Sequence, residues 1–242
     1  MQTDHKMRVF AGPNGSGKST TYDILKSNFD CGYFINPDLM LTDLEKSHRL
    51  NGNDYKIIFT QDSLTLYANN EIELINKAKQ KGFDFNIRVD EKLNQIICDN
   101  PNTYETSLIS SFLRDKIIKS KQSFTAETVF SHPSKIDQIK KGIENGYKTY
   151  LYFVCLESPE LNKARVKDRV VLGGHDVPPD LIEQRYYKTL SLVKEVSNLV
   201  DKAFFIDNSY DYPTLFAIKV KGVVIKQTAS INPKWFNEYV IK

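Results

Sequence analysis

Met7-Arg8-Val9-Phe10-Ala11-Gly12-Pro13-Asn14-Gly15-Ser16-Gly17-Lys18-Ser19-Thr20 runs from a short, mostly apolar segment straight into a glycine-rich turn. The apolar residues read as a buried strand that stops where the glycines begin, and Lys18 to about Asn28 reads as a helix. Within that frame Gly12 to Ser19 matches G-x-x-x-x-G-K-[ST], in the strand, loop and helix context that such a motif needs. The glycines allow backbone N–H groups to converge on phosphate oxygens, and the helix N-terminus adds partial positive charge. The pattern predicts that Gly12, Pro13, Asn14, Gly15, Ser16, Gly17, Lys18, Ser19 and Thr20 hold ATP. Lys18 is expected to bridge the β- and γ-phosphates as an exposed charge, and Ser19 to ligate Mg²⁺.

Beyond the loop the chain alternates strands and helices. Tyr33-Phe34-Ile35 reads as a strand that stops at Asn36-Pro37-Asp38, where Asn36 can cap a helix running toward Leu50 and Pro37 suits its first turn. Ser123 to Thr128, Lys148 to Leu156 and Ala203 to Asp207 read as further strands; Pro133 to Asn145, Pro159 to Val171 and Pro178 to about Val200 read as helices. Thr214 to Val220 and Val223 to Thr228, joined at Lys221-Gly222, read as a hairpin, and Pro233 to Ile241 as a last short helix. Between Asn51 and Gln122 lie helical patterns over Leu64 to Lys81 and Ser107 to Lys119, with loose alternation from Phe83 to Cys98 and no evident chemistry. The predicted fold is α/β: a kinase-like P-loop NTPase, a three-layer sandwich with a mainly parallel sheet, a helical insertion and a C-terminal β-hairpin. Residues 1–242 are read as one domain, with the insertion around 51–122 and a lid around 159–185.

Composition narrows the class. At 242 residues the chain can bury an ordinary core, and with 26% charged residues and a net charge of only +3 it shows no excess of positive charge to announce a nucleic-acid partner. Lys116, Lys119 and Lys121 form a local basic cluster that reads as a solvated helix end. Cys31, Cys98 and Cys155 are odd in number and in no ligand or redox spacing, which suits reduced thiols in a reducing compartment. Met1 to Phe10 has no apolar leader, and no run approaches the ~18 apolar residues of a membrane span. The expectation is a cytoplasmic protein with no membrane association.

A few polar positions separate a kinase from other nucleotide binders. Asp38 follows the second strand, at the sheet edge where ligands of open α/β folds collect; it reads either as a base for an attacking hydroxyl or as a first-turn carboxylate complementing the helix dipole. Asn36 beside it is a candidate substrate contact as well as a cap. Glu127 and Thr128 end a strand and are candidate substrate contacts, with Glu127 also a candidate for the Mg²⁺ shell; the alternative is a strand-end acid facing water. Arg165 and Arg169 share one helix face and Arg185 lies in the next helix, so they read as phosphate-neutralising or as solvated arginines. Gly173-Gly174-His175-Asp176-Val177-Pro178 between them suits a lid. Ala203 to Asp207 superficially resembles a Walker B strand, yet its late position fits better with a strand ending near the nucleotide base.

Taken together, AGPNGSGKST (Ala11 to Thr20), FINPD (Phe34 to Asp38), SFTAETVFS (Ser123 to Ser131), RVKDRVVLGGHDVP (Arg165 to Pro178), IEQRYYKTL (Ile182 to Leu190) and FFIDNS (Phe204 to Ser209) resemble the zeta-toxin family of P-loop kinases. The resemblance is to its branch of predicted chromosomal ATPases or kinases, and it covers most of Met7 to Ser209. It implies a kinase in which Lys18 and Ser19 serve ATP and Mg²⁺, Asp38 is the base, and Arg169 and Arg185 approach the phosphates from the lid. It further implies a small-molecule acceptor hydroxyl, as in members that phosphorylate a UDP-linked amino sugar, and a cognate antitoxin protein. The G-G-H-D-V-P lid and the long 51–122 segment depart from those members. Two other readings stand beside it: an ATPase or nucleotide-dependent switch acting on a macromolecule through 51–122, and a polynucleotide kinase, which would want a basic, aromatic-lined groove.

Overall fold

A computed structural model describes residues 4–228 and 232–242. In chain order the elements are β1 (Lys6–Ala11), α1 (Lys18–Leu25), β2 (Tyr33–Ile35), α2 (Pro37–Ser47), β3 (Arg49–Asn51), α3 (Gln61–Ala68) and α4 (Ile72–Gln80). There follow β4 (Ile87–Asp90), β5 (Gln95–Cys98), α5 (Thr103–Lys119), β6 (Phe124–Thr128), α6 (Ser134–Glu144) and β7 (Lys148–Cys155). The chain closes with α7 (Pro159–Val171), α8 (Pro179–Leu199), β8 (Lys202–Asp207), β9 (Thr214–Val220), β10 (Val223–Gln227) and α9 (Lys234–Phe236), then a π-helical turn over Asn237–Ile241. The chain forms two compact units, one of residues up to Gly32 with those from Ser123 onward, the other Tyr33–Gln122.

The first unit is an α/β layer structure around strands in the order β10-β9-β8-β7-β1-β6. β1 runs parallel to β6 and β7, β7 parallel to β8, and the β9–β10 hairpin adds antiparallel. The hairpin turns at Lys221 (φ 47°) and Gly222 (φ 78°), two successive left-handed residues as its tight turn requires. Parallel register places Ala11 opposite Thr128 and Phe153, and Cys155 opposite Asp207. The carboxyl ends of four strands therefore share one edge, and the loop after β1 opens there.

Burial explains why these strands hold. Phe10, Phe124, Phe153 and Phe205 are fully buried, and Tyr152 stacks on Phe10 at 4.5 Å and Phe204 at 4.8 Å between centroids. Trp235 and Phe236 pack on Phe153, Phe205 and Phe216, so the C-terminal turn closes the core beneath the hairpin. The three cysteines are free and buried. Among the described residues no helix is long and apolar enough to cross a membrane; the part of the leader reading that falls on Met1–Thr3 lies outside them.

The second unit is where sequence periodicity misled. The helix expected over Leu64 to Lys81 is two helices, α3 and α4, parted at Asn69-Asn70-Glu71; Asn70 donates from Nδ2 to the Leu66 carbonyl at 2.9 Å, the local bonding by which asparagine competes with helix continuation. α2 stops at Ser47 and not near Leu50, because His48 turns left-handed (φ 57°) and Arg49 enters β3. The loose alternation over Phe83 to Cys98 resolves into the β4–β5 hairpin, where Asp90 accepts from the amides of Lys92 and Leu93 at 3.1 Å each. Strands β3-β5-β4 form a small antiparallel sheet with α2 to α5 in the same unit. α5 is buried along most of its length and carries two buried charges. Glu105 accepts from the Asn86 amide (2.6 Å), Asn102 Nδ2 (3.0 Å) and Cys98 Sγ (3.2 Å). Burial pulls the Arg114 guanidinium down to about 10, opposed by Tyr67 and Glu71.

Candidate active site

The phosphate-loop residues lie where the strand ends meet. Gly15 (φ 74°) and Gly17 (φ 88°) are both left-handed, a conformation that side chains rarely tolerate. α1 begins at Lys18 with Gly17 as its N-cap, no side-chain cap and no acid in its first turn, so its first N–H groups are left for an anion. Lys18 is 7% exposed and donates from Nζ to the Pro13 carbonyl at 3.0 Å. This corrects the exposed charge expected from sequence: the ammonium is buried and folds back onto the loop backbone.

Ser19 and Glu127 come together. Ser19 Oγ lies 3.0 Å from both Glu127 carboxylate oxygens, to which it donates, and Glu127 is 8% exposed at the end of β6. A hydroxyl beside a buried carboxylate is a set of hard oxygen donors. It suits Mg²⁺, which takes one or two carboxylate-side ligands and completes its octahedron with water and phosphate. No group of three or more His, Cys, Asp or Glu that could hold a metal occurs among the described residues. Glu127→Gln is expected to weaken Mg²⁺ dependence of ATP turnover by about 10- to 100-fold, the usual cost of disturbing a metal's immediate support. A Mg²⁺ titration of turnover that superimposes on wild type would remove Glu127 from the metal.

The arginines separate. Arg185, in α8, donates from Nη1 to Asn14 Oδ1 at 3.2 Å and so reaches the phosphate loop. Arg165 Nη2 donates to the Tyr210 carbonyl at 3.3 Å, and its Nη1 lies 3.9 Å from where a Cβ on Gly17 would stand. Arg169 donates from Nη2 to the His175 carbonyl at 2.5 Å, with Gly174 packed against its stem, and so braces the Gly173–Val177 turn. Val177 buries with Val166 and Ile182, pinning the far end of the turn, while Gly173 (φ 84°) stands in open space.

The remaining predicted residues have local partners. Thr128 Oγ1 accepts from the Phe130 amide at 3.2 Å, shaping the left-handed turn at Phe130 (φ 61°). Asp207 accepts from the amide and hydroxyl of Ser209, at 3.1 and 2.6 Å, which fits the plain strand end read from sequence and not a Walker B acid. In the second unit Asn36 Oδ1 accepts from the amides of Asp38 (2.9 Å) and Leu39 (3.4 Å), the cap that was expected, and Asp38 is exposed in the first turn of α2. Two residues escaped the sequence reading: Asn162 and Asn208, whose side chains donate to the carbonyls of Asn14 (2.6 Å) and Ser16 (2.8 Å). Asn162 carries a detectable signal, a polar residue one turn before buried Val166 on the core face of α7.

Comparison with known proteins agrees with this geometry. Residues 103–219 match the family model described as zeta toxin. An uncharacterized protein of Haemophilus influenzae is 36% identical over 69 residues, 28% of this chain and 49% of that relative. The fold is similar to a chain of the AvrRxo1-ORF1:AvrRxo1-ORF2 complex with sulphate ions (TM-score 0.59, 13% identity, 98% of this chain). It is also similar to a chain of that complex with ATP (TM-score 0.56, 14% identity, 98% of this chain). This chain spans 64% of the length of each. A chain from the PezAT chromosomal toxin-antitoxin system of Streptococcus pneumoniae gives a TM-score of 0.51 at 12% identity, covering 99% of this chain and 80% of that one. The chain is thus similar to zeta toxins over residues 103–219 and shares the α/β phosphate-loop fold of these neighbours.

Proposed function

We propose that the protein is an ATP- and Mg²⁺-dependent phosphotransferase that moves the γ-phosphoryl group to a hydroxyl of a small molecule. The observation that carries this reading is the pairing of Ser19 with buried Glu127 at the uncapped start of α1, beside Lys18. Ser19 and Glu127 would hold Mg²⁺, which when bound would supply charge neutralisation at the nucleotide phosphates. The chain's own part is position and charge. Backbone amides of Gly12 to Ser19 seat the phosphates, Lys18 exchanges the Pro13 carbonyl for phosphate oxygen, and Arg185 and Arg169 neutralise the transferring group. Asp38 takes the proton of the acceptor hydroxyl, while Asn36, Glu127 and Thr128 contact the acceptor. The AvrRxo1 complex crystallised with ATP supports the nucleotide, and the resemblance to zeta toxins supports a UDP-linked amino sugar as acceptor. The toxin-antitoxin system named for the pneumococcal neighbour supports an antitoxin-like protein partner.

A polynucleotide acceptor finds little support in the basic cluster: Lys119 pairs with Asp115 at 2.7 Å and Lys116 lies over the Phe112 ring at 5.4 Å. Asp38→Asn tests the base. It keeps the side chain's size and removes its basicity, so ATP should still bind while acceptor phosphorylation falls by about 10²-fold or more. If Asp38 only complements the α2 dipole, the same change costs ~0.3–1 kcal/mol of stability and leaves turnover alone. Undiminished phosphoryl transfer by Asp38→Asn would remove it from the chemistry.

A further inference from the structure

Asn162 and Asn208 grip the phosphate loop from two different elements. Asn162, fully buried in α7, donates to the Asn14 carbonyl; Asn208, 5% exposed just past β8, donates to the Ser16 carbonyl. A trans peptide unit is planar, and its C=O and N–H point in opposite directions. Tying the Asn14 carbonyl to Asn162 therefore turns the Gly15 N–H the other way, and tying the Ser16 carbonyl to Asn208 does the same for the Gly17 N–H. The clamps act on alternate residues, so the two freed amides are Gly15 and Gly17, the left-handed pair. Close approach accounts for the glycines as well: a Cβ on Gly17 would stand 2.1 Å from Asn208 Nδ2, and one on Gly15 would stand 2.7 Å from the Asn162 carbonyl oxygen. Asn162 Oδ1 is buried with no hydrogen-bond partner, a cost that an apolar side chain at this core position would avoid.

We infer that Asn162 and Asn208 are positioning residues that set the Gly15 and Gly17 amides for the nucleotide phosphates before ATP arrives, which rests on the phosphate-loop reading above. The clamp lowers the reorganisation needed on binding, so its loss should appear in ATP affinity more than in turnover at saturation.

The test compares wild type with Asn162→Ala, Asn208→Ala and Asn208→Asp in two measurements. The backbone N–H order parameter in nucleotide-free protein should fall from about 0.85 toward 0.6 at Gly15 in the first variant and at Gly17 in the second, as each peptide unit loses the bond that fixes its plane. Titration calorimetry should show ATP binding weakened by about 10-fold in each, with kcat at saturating ATP within a few-fold of wild type. Asn208→Asp adds a pH signature. Its carboxylate cannot donate to the Ser16 carbonyl, but the protonated acid can, so its affinity relative to wild type should recover as pH falls toward the carboxyl pKa. Wild-type order parameters and affinity in the alanine variants, a fall in kcat with KM unchanged, or no recovery of Asn208→Asp at low pH would each overturn the clamp. Should Asn162→Ala not fold, the Asn208 variants carry the test at the end of a strand. Should wild type bind no ATP, the nucleotide reading fails, and the order parameters of the free proteins still decide the clamp.

Discussion

Lys18→Ala is expected to lower kcat/KM for ATP by about 10³-fold, the upper range for removing one preorganised charge from a reacting phosphoryl group. Lys18 Nζ donates to the Pro13 carbonyl from a buried position, so the ammonium sits inside the loop it serves. Removing it strips positive charge from the place where the β- and γ-phosphates gather negative charge, and no other residue of Gly12 to Ser19 is cationic. The change also deprives the Pro13 carbonyl of a donor, which should cost about 1 kcal/mol of stability. A modest drop in melting temperature with near-complete loss of ATP turnover is the predicted pair of results. A folded Lys18→Ala protein with wild-type affinity and turnover would remove the basis of the nucleotide site.

Arg185→Ala should lower kcat by ~10³-fold while leaving ATP affinity nearly intact, the low end of what a charge-stabilising arginine supplies. Arg185 is the arginine to test first because its guanidinium already reaches the loop, at Asn14 Oδ1. A bracing role makes a different prediction. If Arg185 merely steadies Asn14, then Asn14→Ala should reproduce its phenotype, and the double variant should lose no more than either single one. If Arg185 neutralises charge on the transferring group, Asn14→Ala should lose only a few-fold and Arg185→Ala the full amount. Arg169→Ala offers the contrast: Arg169 is tied to the His175 carbonyl, so its effect includes lid closure and should appear in KM as well as kcat.

What could be read from the sequence follows how local the determinants are. Gly12 to Ser19 is a contiguous motif whose conformation its own glycines impose, and Asn36-Pro37-Asp38 caps its helix through contacts two and three residues away. Glu127 was legible as a strand-end acid because parallel strands bring their carboxyl ends to one edge. Its hydroxyl partner Ser19 lies 108 residues away, yet both were marked for the same ion. Asn162 shows in sequence only as a polar residue on a buried helix face and Asn208 not at all: their bonds to the loop span 148 and 192 residues, and an asparagine's partner is unknown until the fold supplies its acceptor. Arg169 and Arg185 looked equivalent because helical spacing gives a face, whereas the left-handed turn at Gly173 decides that Arg169 meets the lid. In Tyr33–Gln122 the difficulty was period. Gln95-Ile96-Ile97-Cys98 buries Ile96 and Cys98, but Ile97 on the other face masks the alternation. That unit also holds an open groove of about 560 Å³ along Glu45, His48, Phe83, Asp84 and Asp99, which no sequence pattern marks.

The measurement that bears most directly on phosphoryl transfer is incubation of the full chain with γ-labelled ATP and Mg²⁺ against nucleotide sugars, nucleosides and short RNA ends, with mass analysis of the products. The expected result is a single class of small hydroxyl acceptor gaining one labelled phosphoryl group. Transfer should require Mg²⁺, fall about 10³-fold in Lys18→Ala, and be accompanied by only slow ATP hydrolysis when the acceptor is left out. Rapid acceptor-independent hydrolysis with no labelled product would contradict the account and leave an ATPase in its place.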